Sequence, residues 1–178
     1  MAAILTAPIA MAAIVLAVAG LAKLRSPAVA VRALVAAGLS APGPAVPSTG
    51  LLVRIAASFE LAVAALILLV PGRAACALLA VTYVLLALVA GALARRGATC
   101  GCFGGGDTPA TAAHVGLSAV LAVIAGAGVA WPAHGIAWLL GAAPGVAGVL
   151  LLGIAGAAYA TVLAYTELPS AWGAWRPR

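Results

Sequence analysis

Charge is what this chain has least of. Only 7% of its 178 residues are charged, and three of those are acidic, Glu60, Asp107 and Glu167, against nine Lys and Arg. A soluble domain carries roughly 25% charged residues, so a water-facing globular fold is excluded. The net charge of +6 invites a nucleic-acid partner, but the basic residues form no dense tract and bear instead on membrane orientation. No Lys or Arg precedes the first apolar run, whereas Lys23, Arg25 and Arg32 follow it. That is the reverse of a secretory leader, so a retained helix with its N-terminus outside is expected. A glycine-rich stretch follows Cys102, yet no Gly-Lys-Ser/Thr comes after it, which removes the phosphate-cradle reading.

What the chain has in abundance is apolar surface: 66% hydrophobic residues and a mean hydropathy of +1.26 mark an integral membrane protein. A bilayer core takes about 20 mainly apolar residues per helix. Five stretches qualify, 3–22, 51–70, 74–94, 112–131 and 143–165. The fold class expected is all-α, a polytopic transmembrane bundle of five spans, with four as the alternative, forming a single domain over residues 1–178. Its 21 Gly and many Ala suit close helix packing, since lipid gives no hydrophobic drive for helices to associate. Pro71-Gly72-Arg73 turns the second span into the third as an antiparallel hairpin. Residues 27–39 have helical composition but are too short to cross, and read as an interfacial or re-entrant helix. In residues 40–47 the three prolines Pro42, Pro44 and Pro47 argue against regular helix.

With the N-terminus outside, Lys23, Arg25, Arg32, Arg54, Arg95, Arg96, Arg176 and Arg178 fall on the cytoplasmic side, leaving Arg73 outside. The same count puts the loop after the third span in the cytoplasm. That loop reads Cys100-Gly101-Cys102-Phe103-Gly104. Two thiols one residue apart can close into a disulfide and reopen, a two-electron couple. A one-residue spacer closes a small, strained ring, which is easily reduced. The alternatives are a reduced, glycine-rich turn or half of a metal site, although a structural zinc needs about four ligands and only Asp107 and His114 are near. No metal and no cofactor is assigned.

Cys76 lies near the far end of the third span, about 27 Å from its loop end at about 1.5 Å per residue, and reads as a small buried residue. Glu60 is the acidic side chain deep in a span, where insertion costs about 2.5–3.5 kcal/mol. It is expected to face the bundle, either relaying a proton or accepting a hydrogen bond from Tyr83 or a ligand, or simply to pin two helices as a neutral acid. His114, at the start of the fourth span and one to two turns from its loop end, either favours a thiolate in the loop or is a solvated or capping residue. His134, between Trp131 and Trp138, reads as part of an interfacial aromatic belt, and Trp172 and Trp175 as a second one.

Gly20-Leu21-Ala22-Lys23-Leu24-Arg25-Ser26-Pro27, Ser58-Phe59-Glu60-Leu61 and Arg95-Arg96-Gly97 leading into Cys100-Gly101-Cys102-Phe103-Gly104 resemble the methylamine-utilisation MauE family of DoxX-like membrane proteins. The resemblance covers most of residues 1–125. It implies a bacterial plasma-membrane bundle that supports redox maturation of the disulfide-rich small subunit of methylamine dehydrogenase beside a thioredoxin-like partner. Carried over by residue, Cys100 and Cys102 would be the redox pair, Glu60 the intramembrane acid and Lys23 part of the entry motif. The apolar span after Trp131 departs from the four crossings the family leads one to expect.

The function expected is thiol–disulfide redox chemistry, a possible oxidoreductase, with Cys100, Cys102, Glu60 and His114 as the catalytic candidates. A thioredoxin-like protein or a client protein would be its partner. The rival is a non-catalytic assembly factor or small-solute carrier built around Glu60.

Overall fold

The computed structural model describes residues 2–38, 46–101, 103, 109–131, 133–142 and 144–168. These form seven helices, α1 (Ala2–Arg25), α2 (Pro27–Ala36), α3 (Val46–Leu69), α4 (Arg73–Arg95), α5 (Ala112–Ala130), α6 (Ile136–Ala142) and α7 (Pro144–Thr166). Five of them, α1, α3, α4, α5 and α7, are long and apolar enough to cross a membrane, so the five-span count holds and the protein is a multi-pass membrane protein. Helix α2 is the short apolar helix expected between the first two spans.

Helices α1 and α3 pack antiparallel, and so do α4 and α5, each pair brought close by a glycine. A side chain at Gly20 would meet the Ala57 carbonyl at 3.0 Å, and one at Gly128 would meet Cys76 Sγ at 2.7 Å. With no hydrophobic drive between helices in lipid, such close backbone approach supplies the dispersion contacts that hold the bundle. The main core gathers Ile9, Leu16, Val63, Ile67, Leu79, Tyr83 and Leu121 from these four helices, joined by Ala158 and Tyr165 of α7. Large apolar side chains such as Leu88, Val123, Val149 and Leu152 point outward, as a lipid-facing surface requires.

Two boundaries depart from expectation. Helix α3 begins at Val46, so Pro47 lies in its first turn rather than in irregular chain. A first-turn N–H has no helical acceptor, so a proline there forfeits nothing. The segment after Trp131 is not all loop, because Ile136–Ala142 form α6. At this end of the bundle the His134 backbone N–H donates to Thr6 Oγ1 at 3.1 Å, and the His134 ring stacks on Trp138 at 4.2 Å. Trp172 and Trp175 lie outside the described residues.

Candidate functional site

Lys23, in the last turn of α1, and Glu60, midway along α3, form a buried ion pair through Nζ and Oε1. Gly20 lies three residues before Lys23 and Ala57 three before Glu60, so both sit on the contacting faces, and the missing side chain at Gly20 lets the ammonium reach the carboxylate. The lysine-leucine block after the first span and the acid of the second therefore meet in space. Glu60 is 5% exposed, and its other oxygen, Oε2, is buried without a hydrogen-bond partner among the described residues. The partner is not Tyr83, whose hydroxyl donates instead to the Ala12 carbonyl at 2.7 Å.

Helix α4 delivers the cysteine loop. It ends in a Schellman motif, in which the Ala98 N–H reaches the Leu93 carbonyl at 3.0 Å and the Gly97 N–H reaches that of Ala94 at 3.2 Å, with Gly97 left-handed at φ 62°. The loop is then pinched at its neck, where Thr99 bridges Pro109 and the Ala110 N–H donates to the Ala98 carbonyl at 3.0 Å. Gly101 is also left-handed at φ 62° and lies against α2, where an added side chain would meet Ala30 Cα at 3.3 Å. A glycine between the two cysteines is thus required both by dihedral and by space. Cys100 is 7% exposed and packs among Ala33, Ala37, Leu93, Ala98 and Ala110. Cys102 and residues 104–108, Asp107 included, lie outside the described residues.

His114 ties two helix ends together. Its Nδ1 accepts the Thr111 backbone N–H at 3.2 Å, closing a capping box at the start of α5. A backbone N–H can only donate, so the neutral ring carries its proton on Nε2. The ring also hydrogen-bonds the backbone of Tyr165, whose carbonyl is among the last four of α7 and has no acceptor role within the helix. The capping reading of His114 is the one the geometry bears out, and at 2% exposure the residue is not solvated. Tyr165 in turn places its hydroxyl 2.9 Å from Ser118 Oγ and its ring 5.3 Å from Phe103 and 5.9 Å from His114.

These groups surround one narrow pocket, part of it open to the outside. Val15, Leu16, Ala19 and Lys23 of α1 form one wall, Tyr83, Leu86 and Ala90 of α4 another, and Cys100, Phe103, His114, Ser118 and Tyr165 close the end. Of the candidates read from sequence, Cys100 and His114 line it, and Glu60 joins it through Lys23. Lys23 entered the sequence reading as part of the family's entry motif, whereas Ser118 and Tyr165 were not singled out. For Lys23 the signal was present, a cation directly at the end of the first apolar run. Ser118 and Tyr165 carried none, since a hydroxyl in a span is commonly spent on its own helix. Cys76 is fully buried at the opposite end of α4 against Gly128. No group of three His, Cys, Asp or Glu able to hold a metal occurs among the described residues.

No curated protein and no solved structure matches the chain significantly. The family model described as methylamine utilisation protein MauE matches residues 1–132. That stretch contains the Lys23–Glu60 pair, the cysteine loop and His114, and the chain belongs to the MauE family.

Proposed function

We propose that this protein is a thiol–disulfide redox protein of the bacterial plasma membrane, serving the methylamine dehydrogenase pathway by keeping a partner's disulfides correctly formed. The observation that carries the reading is the shared pocket: Cys100 and Lys23 line the same largely apolar space, and Glu60 pairs with the Lys23 ammonium. A nearby cation lowers a thiol's proton affinity and favours the nucleophilic thiolate.

In the exchange, one thiolate of the Cys100–Cys102 pair attacks a partner disulfide, forming a mixed disulfide and releasing the partner's first thiolate. The second cysteine then attacks the mixed bond, leaving Cys100–Cys102 oxidised and the partner as a dithiol. Run in reverse, the same two steps oxidise the partner. Two electrons move in either direction, and two protons leave the thiols that are oxidised and are taken up by the pair that is reduced. Lys23, which shares the pocket with Cys100, and Glu60 Oε2 behind it are the groups proposed to handle those protons. His114 lines the same pocket with its ring nitrogens already engaged, and serves to hold the pocket's shape.

Trapping tests the proposal. In cells carrying Cys100→Ser or Cys102→Ser, the remaining cysteine is expected to accumulate a mixed disulfide with a thioredoxin-like or client protein, visible on non-reducing gels and absent from the double variant. If neither single variant traps a partner, and a solute flux depends on Glu60 but not on the cysteines, the carrier reading takes its place.

A further inference from the structure

The matched family residues stop at 132, yet the pocket is closed beyond them by a side chain of α7. Helix α7 is held loosely for a membrane span: 17% of its apolar window is buried, against 33 to 50% in the other four. Its course runs parallel to α1, with Ile154 packed beside Ala10 and the Thr161 hydroxyl 3.5 Å from Met11 Sδ. At the end of that course Tyr165 leaves the lipid-facing pattern and is 6% exposed. Its hydroxyl meets Ser118, its ring meets Phe103 of the cysteine loop, and its backbone meets the His114 ring. Gly101 seats the loop on α2 and Phe103 seats it on α7, so the chain carrying Cys100 is gripped from two sides.

We infer that Tyr165 is a specificity-determining residue of the thiol site, closing the pocket beside Cys100 so that α7 governs which reactants reach that thiol. The inference rests on the reading that Cys100 exchanges, but its geometry concerns access alone. With the ring in place, the pocket that Cys100 also lines is walled on its α7 side by an aromatic ring whose hydroxyl lies 2.9 Å from Ser118 Oγ. Without it, a gap the size of a phenol ring joins the pocket to the space around α7, and small lipid-soluble electrophiles or disulfides reach the sulfur directly.

Alkylation by N-ethylmaleimide in native membranes, followed by peptide mass spectrometry on Cys102→Ser protein, tests this. Cys76 is the internal control, being fully buried at the other end of α4. Tyr165→Ala is expected to speed modification of Cys100 by about tenfold or more with Cys76 unchanged, while Tyr165→Phe, which keeps the ring, stays within about threefold of the parent. Tyr165→Leu, which retains bulk but not the ring contacts, is expected to fall between the two and keeps the test available if the alanine variant does not fold. An unchanged Cys100 rate in the alanine or leucine variant overturns the inference, and so does a parallel rise at Cys76, which reports general loosening. Failure to trap any partner in protein with Tyr165 intact counts against the redox reading instead, so the two can fail separately.

Discussion

Lys23 and Glu60 are each about nine-tenths covered, so neither can be altered alone without leaving the other stranded. Lys23→Met is expected to destabilise the protein by about 3–5 kcal/mol, because it strands a buried carboxylate. The double change Lys23→Met with Glu60→Leu should cost less than the sum of the singles, since an apolar pair of similar volume needs no desolvation. Thermal unfolding of the three variants in detergent checks the ordering, and simple additivity would mean that the two side chains do not interact. At Gly101 a second substitution is informative. Gly101→Ala forces a left-handed backbone onto a side chain that would also press on α2 at 3.3 Å, at a cost of about 1–2 kcal/mol. The effect should appear as increased proteolysis of the cysteine loop, with the spans unaffected by circular dichroism.

Among the elements, the α4–α5 pair shows most directly how small residues replace the hydrophobic effect in lipid. An added carbon at Gly128 would lie 2.6 Å from Ile9 Cδ1 and 2.7 Å from Cys76 Sγ, whereas Gly126, two residues earlier, has open space around it. Gly128→Leu is therefore expected to lower stability by about 1–3 kcal/mol or more through overpacking, and Gly126→Leu to change it little. Melting temperatures of the two variants in the same detergent decide the matter, and equal losses would mean that the close packing at Gly128 does not set the response. The same pair positions the chemistry, since its connecting loop carries Cys100 and its packing puts His114 beside that loop.

At the scale of the whole molecule, one end of the bundle collects Lys23, Arg25, Arg32, Arg54, Arg95 and Arg96 with Cys100, His114 and Tyr165, while Arg73 marks the other end with Thr6 and His134. The bias of basic residues argues for a cytoplasmic cysteine end. A membrane-impermeant maleimide applied to intact spheroplasts should then leave Cys102 unmodified and label it only after lysis. Prompt labelling of intact cells would reverse the orientation and put the thiols on the side where an exported partner works.

Hydropathy and length by themselves determined the five spans, the short helix between the first two and the hairpin at Pro71-Gly72. Each is a local property: a run long enough for a bilayer, a run too short, or a proline-glycine turn. Glu60 was equally legible as a group that must turn inward, because a lone acid in lipid is costly wherever its partner lies. Its partner was not, because Lys23 is 37 residues away and reaches it only through the α1–α3 crossing at Gly20. The start of α3 at Val46 and the helix Ile136–Ala142 were missed because proline and short loops are judged one residue at a time, while tertiary packing decides whether a marginal turn closes. Tyr165 was wholly a matter of tertiary structure. Nothing in an apolar span distinguishes a tyrosine that faces lipid, as the 67% exposed Tyr159 does, from one that seals a pocket, until the helices around it are in place.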